Sequence, residues 1–150
     1  MNIITAYTCD AYRDINRNLF NGVVTEQAAE LIEALSQLPA MPGTTYRTIW
    51  IDDLNAYADW LKNQKVITFN AFASTSRIQS VAVRFNGNVK LTIQGISGRD
   101  IAPFSHAPHE AETLFLPARR LRVKRVKVVK VAGRIGVIEA ELVELSEPEP

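Results

Sequence analysis

The chain has 150 residues, 47% of them hydrophobic and 22% charged, with a net charge of +1. A chain of this size and balance builds one core of its own and is neither disordered nor a polyelectrolyte. Its single cysteine, Cys9, excludes an internal disulfide and a multi-cysteine zinc site. The opening "MNIITAYTCDAYRD" has no basic leader followed by an apolar run, so no signal peptide is expected. No stretch approaches the roughly 18 apolar residues of a membrane span, so no membrane partner is expected either. The expected place of action is a cytoplasm, its own cell's or that of a cell it is delivered into.

The first third reads as helical. "TCDAYRDINRNLFNG" offers Thr8 and Asp10 as caps, Tyr12, Ile15 and Leu19 at spacings of three and four, and Gly22 as a terminator. "TEQAAELIEALSQLP" predicts a second helix from Thr25 to the stop at Pro39. "TTYRTIW" reads as a strand, and "DDLNAYADWLKNQ" as a helix opened by two acids. From residue 66 the period becomes two. "VITFNAFASTS", "SVAVRFNG", "VKLTIQGI", "AETLFLPA", "LRVKRVKVVKVAG" and "IGVIEAELVEL" all read as strands, with turn signals at Asn86-Gly87 and Ser97-Gly98. Near Lys124-Arg125 the apolar parity slips, which predicts a bulge. Helices first and strands after predict an α+β domain over residues 1–145, with 146–150 a disordered tail.

Charge is unevenly placed. Residues 1–118 hold 9 Lys/Arg against 11 Asp/Glu, whereas 119–134 hold 8 Lys/Arg and no acid. This segment is either the solvent face of a strand or, from Arg119 to Arg134, a patch that meets the phosphates of a cofactor or nucleic acid. No G-x-G-x-x-G follows a strand and no G-x-x-x-x-G-K-[ST] is present, so neither common nucleotide cradle exists. His106, His109, Glu110 and Glu112 form H-x-x-H-E-x-E, which matches no zinc ligand pattern, and no metal is expected.

Three polar signatures interrupt apolar strands: Arg47 in "TTYRTIW", the hydroxyls of Ser74, Thr75 and Ser76 after "FNAFA", and Glu110-Ala111-Glu112 before "TLFLP". An unpaired arginine is costly to bury, and residues two apart on a strand share a face, so both glutamates enter one site. Each signature alone has an ordinary reading as a salt bridge, a turn or a solvated edge. In this order, on successive β segments after two helices, the set resembles the mono-ADP-ribosyltransferases of the arginine–serine–glutamate class, related to bacterial toxins and effectors. The matching residues are "YR" at Tyr46-Arg47, "FASTS" at Phe72 to Ser76 and "EAETLFLP" at Glu110 to Pro117, with "GISGRDI" before them and "VIEAELVE" as a closing strand. The resemblance covers about residues 5 to 145.

That resemblance implies N-terminal helices followed by two packed, mostly antiparallel β-sheets around an NAD cleft. It implies an enzyme that cleaves the nicotinamide–ribose bond of NAD and transfers ADP-ribose, with hydrolysis of NAD as a side activity. Departure of nicotinamide leaves an oxocarbenium-like ribose, which a fixed anion stabilises as in a glycosidase. Glu112 matches the family's catalytic glutamate on the ribose 2′-hydroxyl, and Ser74 the hydroxyl that fixes its rotamer. Arg47 matches the clamp on the phosphates, to which Arg77 and Arg84 are further candidates. Thr75 and Ser76 hold the strand end and wall of the same cofactor site. Thr48 stands where the family often has a glycine gripping the nicotinamide amide, and Phe85, ahead of Phe69 and Phe72, is the aromatic expected against nicotinamide.

Glu110 stands where members that modify arginine carry glutamate, which pairs with a guanidinium and helps remove its proton. The loop "IAPFSHAPH" matches the family's substrate-recognition turn, with His109 as a contact to the target and Phe104 as either a contact or a buried anchor of the loop. The implied acceptor is a protein arginine. The alternatives are a nucleic acid held by the basic segment, or a binding module without catalysis. By analogy, a toxin of this kind has an immunity or antitoxin protein that plugs its cleft.

Overall fold

The computed structural model describes residues 2–146. All of the expected tail except Ser146 lies outside the described residues. The chain opens as a helix capped by Asn2, whose Oδ1 accepts from the Ile4 amide at 2.7 Å. The helix runs as α1 (Ile3–Ala6), a π turn (Tyr7–Ala11) and α2 (Tyr12–Phe20). It therefore starts earlier than expected: Thr8 and Asp10 lie inside it, and Asn2 is the cap. Gly22, at φ +78°, ends it as the sequence suggests. Helix α3 (Glu26–Ser36) is capped by Thr25, and α4 (Leu54–Lys62) by Asp53.

The strands are β1 (Gly43–Ile49), β2 (Val66–Phe69), β3 (Ala73–Ser76), β4 (Val89–Gly95), β5 (Arg99–Asp100), β6 (Glu112–Phe115), β7 (Arg119–Val131) and β8 (Arg134–Glu144). They form one ladder in the order β2-β7-β8-β4-β1-β3-β6-β5, antiparallel except for β4 beside β8. The expected two sheets are the two halves of this ladder. β1 meets β4 along seven register pairs but meets β3 at one, Tyr46 opposite Ser76. That single pair is a seam. On one side α4 packs Ala58 and Leu61 onto Val89, Leu91, Leu121 and Ile138. On the other, Ile4, Tyr7, Leu31 and Leu35 pack onto Phe72, Ile101 and Leu114.

Three elements differ from expectation. "VITFNAFASTS" is two strands rather than one: β2 pairs with β7 at the outer edge, and β3 crosses to the seam. "SVAVRFNG" is not a strand. It holds the short helix α5 (Gln79–Ala82) and a turn through Phe85. Its alternating valines mimic a strand, but the amides of Val81, Val83 and Phe85 bond to Ile78, Gln79 and Ala82, so local turns satisfy a backbone that has no ladder partner. β5 was not foreseen. The bulge was: the β7–β8 register shifts between Val123 and Arg125. Among the described residues no helix is long and apolar enough to cross a membrane.

The turn after α5 is pinned to β1 by close approach. A Cβ on Gly87 would lie 2.5 Å from the Ile49 carbonyl oxygen and collide with the Thr48 methyl. Beside it Asn88 bonds Ile51 from both ends of its amide, at 2.8 and 2.9 Å. Gly87→Ala is therefore expected to destabilise the protein by about 1–3 kcal/mol, the usual range for overpacking. Chemical denaturation measures this, and a neutral result would show that the turn is not held as described.

Candidate active site

The seam opens into a cleft of about 490 Å³. β1 supplies Tyr46, Arg47 and Thr48, β3 supplies Ser74, Thr75 and Ser76, and the start of β6 supplies Glu112. Val81, Ala82 and Phe85 form one wall from the α5 segment, while Tyr7, Thr8, Cys9 and Tyr12 form another from the N-terminal helix. His106 and Glu110 close it from the loop before β6.

Arg47 lies on the core side of β1, in register with Leu91. Its Nη1 donates to the Ser74 carbonyl at 2.9 Å, across the seam. Burial pulls its pKa below the ordinary arginine value, and Tyr7, Tyr57 and Glu112 push it back up. An arginine side chain in a protein keeps its charge, so the cleft holds a fixed cation whose solvation has already been given up.

Glu112 is the matching anion. Burial raises its carboxyl pKa above the ordinary glutamate value of 4.5; a hydrogen bond with Ser74 pulls it down, Glu110 pushes it up, and His106 and Arg47 pull it down. The two glutamates do not reach the cleft as neighbours on one strand, contrary to the sequence reading. Glu110 ends a 3-10 turn (Pro108–Glu110), Ala111 is left-handed at φ 48° and ψ 50°, and only Glu112 belongs to β6. The reversal at Ala111 turns both side chains into the cleft. Left-handed alanine is strained backbone of the kind found at functional sites.

The remaining site residues divide. Thr48 and Phe85 line the cleft, and Phe85 is 54% exposed, free to meet a ligand. Thr75 and Ser76 line it too, but their hydroxyls are spent on the backbone. Thr75 Oγ1 donates to the Thr113 carbonyl and Ser76 Oγ to that of Glu110, both at 2.7 Å. Ser76 thereby holds the glutamate turn in place. Arg77 is turned away to Asp100 at 3.2 Å and Thr113 Oγ1 at 2.8 Å, and Arg84 is exposed outside the cleft lining.

Phe104 and His109 do not line the cleft. Phe104 is half-buried against the Ile4–Leu114 core, and its carbonyl accepts from Thr5 Oγ1 at 2.7 Å, so it anchors the loop. His106, three residues earlier than His109, is the histidine that faces the glutamates. Phe69 packs against the α4 core and Phe72 is 3% exposed, so both are core rings. Among the described residues no group of three or more His, Cys, Asp and Glu is placed to hold a metal.

The wall missed in the sequence is the N-terminal helix. Its apolar spacing reads as plain amphipathicity, and the π turn, which brings Tyr7, Thr8, Cys9 and Tyr12 to the cleft, leaves no spacing signal. π bulges concentrate at functional sites.

Glu112 is a carboxyl whose folded pKa exceeds its unfolded one, so the folded protein binds its proton more tightly. Its contribution to stability is full below pH 4.5 and is lost as pH rises through the raised value. At neutral pH the buried charge weakens the fold. Glu112→Gln is expected to melt at a higher temperature than the wild type at pH 7, with the gain vanishing in acid. Thermal unfolding at both pH values checks this, and an equal or lower melting temperature at pH 7 would contradict it.

The chain is similar to known proteins. A model of the family described as NAD:arginine ADP-ribosyltransferase matches residues 30–139. The chain is 34% identical over 137 residues to Mav of Mycobacterium avium (strain 104), named as an NAD(+)–arginine ADP-ribosyltransferase, covering 85% of this chain and 16% of that protein. It is 51% identical over 53 residues to the NAD(+)–protein-arginine ADP-ribosyltransferase Tre1 of Pseudomonas putida (strain GB-1), covering 35% of this chain and 10% of that one. The chain thus spans less than a fifth of the length of either relative. In structure it is similar to the ADP-ribosyltransferase HopU1 of Pseudomonas syringae pv. Tomato DC3000, with a TM-score of 0.81 at 20% identity, over 95% of this chain and 75% of that one. The chain belongs to the NAD:arginine ADP-ribosyltransferase family.

Proposed function

We propose that this protein transfers ADP-ribose from NAD to arginine side chains of a protein target, as a bacterial toxin or effector does. One observation carries the reading. Arg47, Ser74, Glu110 and Glu112, from three strands and a turn, converge on one cleft that holds a half-buried cation and a half-buried carboxyl, each with its pKa moved by desolvation. The cleft fits such a ligand: the cation is already desolvated, the carboxylate is already fixed, and Phe85 is an exposed ring at the wall.

NAD, when bound, supplies the ADP-ribosyl group as nicotinamide leaves. Arg47 holds the phosphates with its remaining guanidinium donors, Nη1 being the one that bonds the Ser74 carbonyl among the described residues. Glu112 places its carboxylate against the nicotinamide ribose, where positive charge develops, and its low-dielectric setting strengthens that interaction. Ser74 donates to Glu112 and fixes its rotamer. Glu110, outside the strand on the turn before it, receives the acceptor guanidinium and takes the proton it loses on attack.

The basic segment does not support a nucleic-acid acceptor. In the sheet Arg125 is paired with Glu141 and Lys127 with Glu139, and Glu139 also faces Lys90. Two of the β7 cations, Arg125 and Lys127, thus face acids on the neighbouring strand, as on an ordinary solvated face.

The test uses labelled NAD and cell lysate with wild type, Glu112→Ala and Glu110→Gln, each confirmed folded. Glu112→Ala is expected to lose both protein labelling and nicotinamide release, by about 10²-fold or more. Glu110→Gln is expected to lose labelling while retaining most nicotinamide release. Equal loss of both in Glu110→Gln would overturn its role with the acceptor. Label that resists a reagent selective for arginine linkages would overturn the arginine assignment.

A further inference from the structure

We propose that Arg77 is a positioning residue for this reaction: it clips together the two ends of the loop 101–111 and so sets where Glu110 stands for the acceptor. The inference rests on the role given to Glu110 above and deepens it.

The glutamate turn is caught at three successive carbonyls. That of Glu110 accepts from Ser76 Oγ at 2.7 Å, that of Ala111 from the Arg77 amide at 3.1 Å, and that of Glu112 from Arg77 Nη1 at 3.3 Å. A left-handed alanine such as Ala111, at φ 48°, persists only where its surroundings over-determine it, and these contacts do so. The same guanidinium then reaches across β6. Nη1 also donates to Thr113 Oγ1 at 2.8 Å, and Nη2 meets Asp100 Oδ1 on β5 at 3.2 Å. Asp100 Oδ1 in turn accepts from the Ala102 amide at 3.0 Å, at the start of the loop. One side chain therefore joins the place where the loop leaves the sheet to the place where it returns.

The two glutamates depend on this clip unequally. Glu112 is held by the ladder itself, in register with Ser76, and its carbonyl also accepts from the Ile101 amide at 3.1 Å. Glu110 lies outside the ladder, so its place follows the turn, and the turn follows residues 76 and 77. At the other end β5 is an edge strand of two residues, paired to β6 at Arg99 and Asp100. The Arg77 and Asp100 side chains are 28% and 32% exposed, so their ion pair adds little stability, and its consequence is geometric. A planar fork reaches a carbonyl, a hydroxyl and a carboxylate at once, which the compact ammonium of a lysine does not.

Arg77→Gln is expected to slow transfer to arginine methyl ester by roughly tenfold or more, since a misplacement of about 1 Å can cost about 10²-fold. Nicotinamide release without acceptor, and KM for NAD, are expected to stay near the wild-type values. Asp100→Asn keeps an acceptor for the Ala102 amide but drops the charge that holds Arg77. It is expected to shift the balance of transfer and hydrolysis the same way, and to add little in the Arg77→Gln background. Amide hydrogen exchange needs no turnover, and it is expected to quicken at Ala102, Glu110 and Ala111 in Arg77→Gln but not in Glu110→Gln. Unchanged exchange at these amides would overturn the proposal. So would transfer held at the wild-type rate, or transfer and nicotinamide release falling together in folded Arg77→Gln. Equal loss of both activities in Glu110→Gln would defeat the role of Glu110 instead, and the exchange would still decide whether Arg77 clips the loop.

Discussion

The structure turns on one hydrogen bond at a weak joint. The two halves of the sheet share a single register pair, Tyr46 opposite Ser76, and beside it Arg47 reaches across to the Ser74 carbonyl. A sheet that continued its ladder through this point would close the cleft. Leaving one pair and a guanidinium in place of a row of backbone bonds opens it, while keeping the two floors in fixed register. Burying that guanidinium is unfavourable unless anions meet it. Glu112 is one such anion, and the phosphates of a bound NAD would complete the set.

The cost is shared between the halves. Glu112 sits at the first position of β6, on the side built by the N-terminal helices, whereas Arg47 belongs to β1. Each charge is half-buried on its own side of the seam, and neither half alone brings them together. Electrostatic groups prepared in this way act at full strength when charge develops in a reaction, because no water has to reorganise around them. The stability surrendered to an ionised Glu112 is the counterpart of that preparation, and it ties the protein's pH behaviour to its chemistry.

Much of the site was legible because the chemistry requires particular side chains at particular strand positions. Arg47, Ser74, Glu110 and Glu112 carry polarity where burial otherwise selects apolar residues, and that contrast survives in the sequence. The bulge near Lys124 was legible for the same reason, as a break in parity. What was not legible depends on backbone geometry. The left-handed Ala111 presents Glu110 by a turn rather than by strand alternation, and nothing in "EAE" distinguishes the two. The alternating valines of "SVAVRFNG" obey a strand period, yet no neighbour strand exists to receive them. Tyr7 looks like an ordinary helix residue in the sequence, yet the π turn it opens puts it on the wall of the cleft. An aromatic such as Phe104 on a loop reads equally as a target contact or a buried anchor, and only the core below the loop decides for the anchor.

The central claim is that one cleft holds NAD between Arg47 and Glu112, and a structure of the complex tests it most directly. Glu112→Gln soaked or co-crystallised with NAD removes turnover while keeping the shape of the site. The account predicts the pyrophosphate on the Arg47 guanidinium and the nicotinamide ribose within hydrogen-bond reach of residue 112. A dinucleotide bound elsewhere, or bound here with its phosphates away from Arg47, would contradict it.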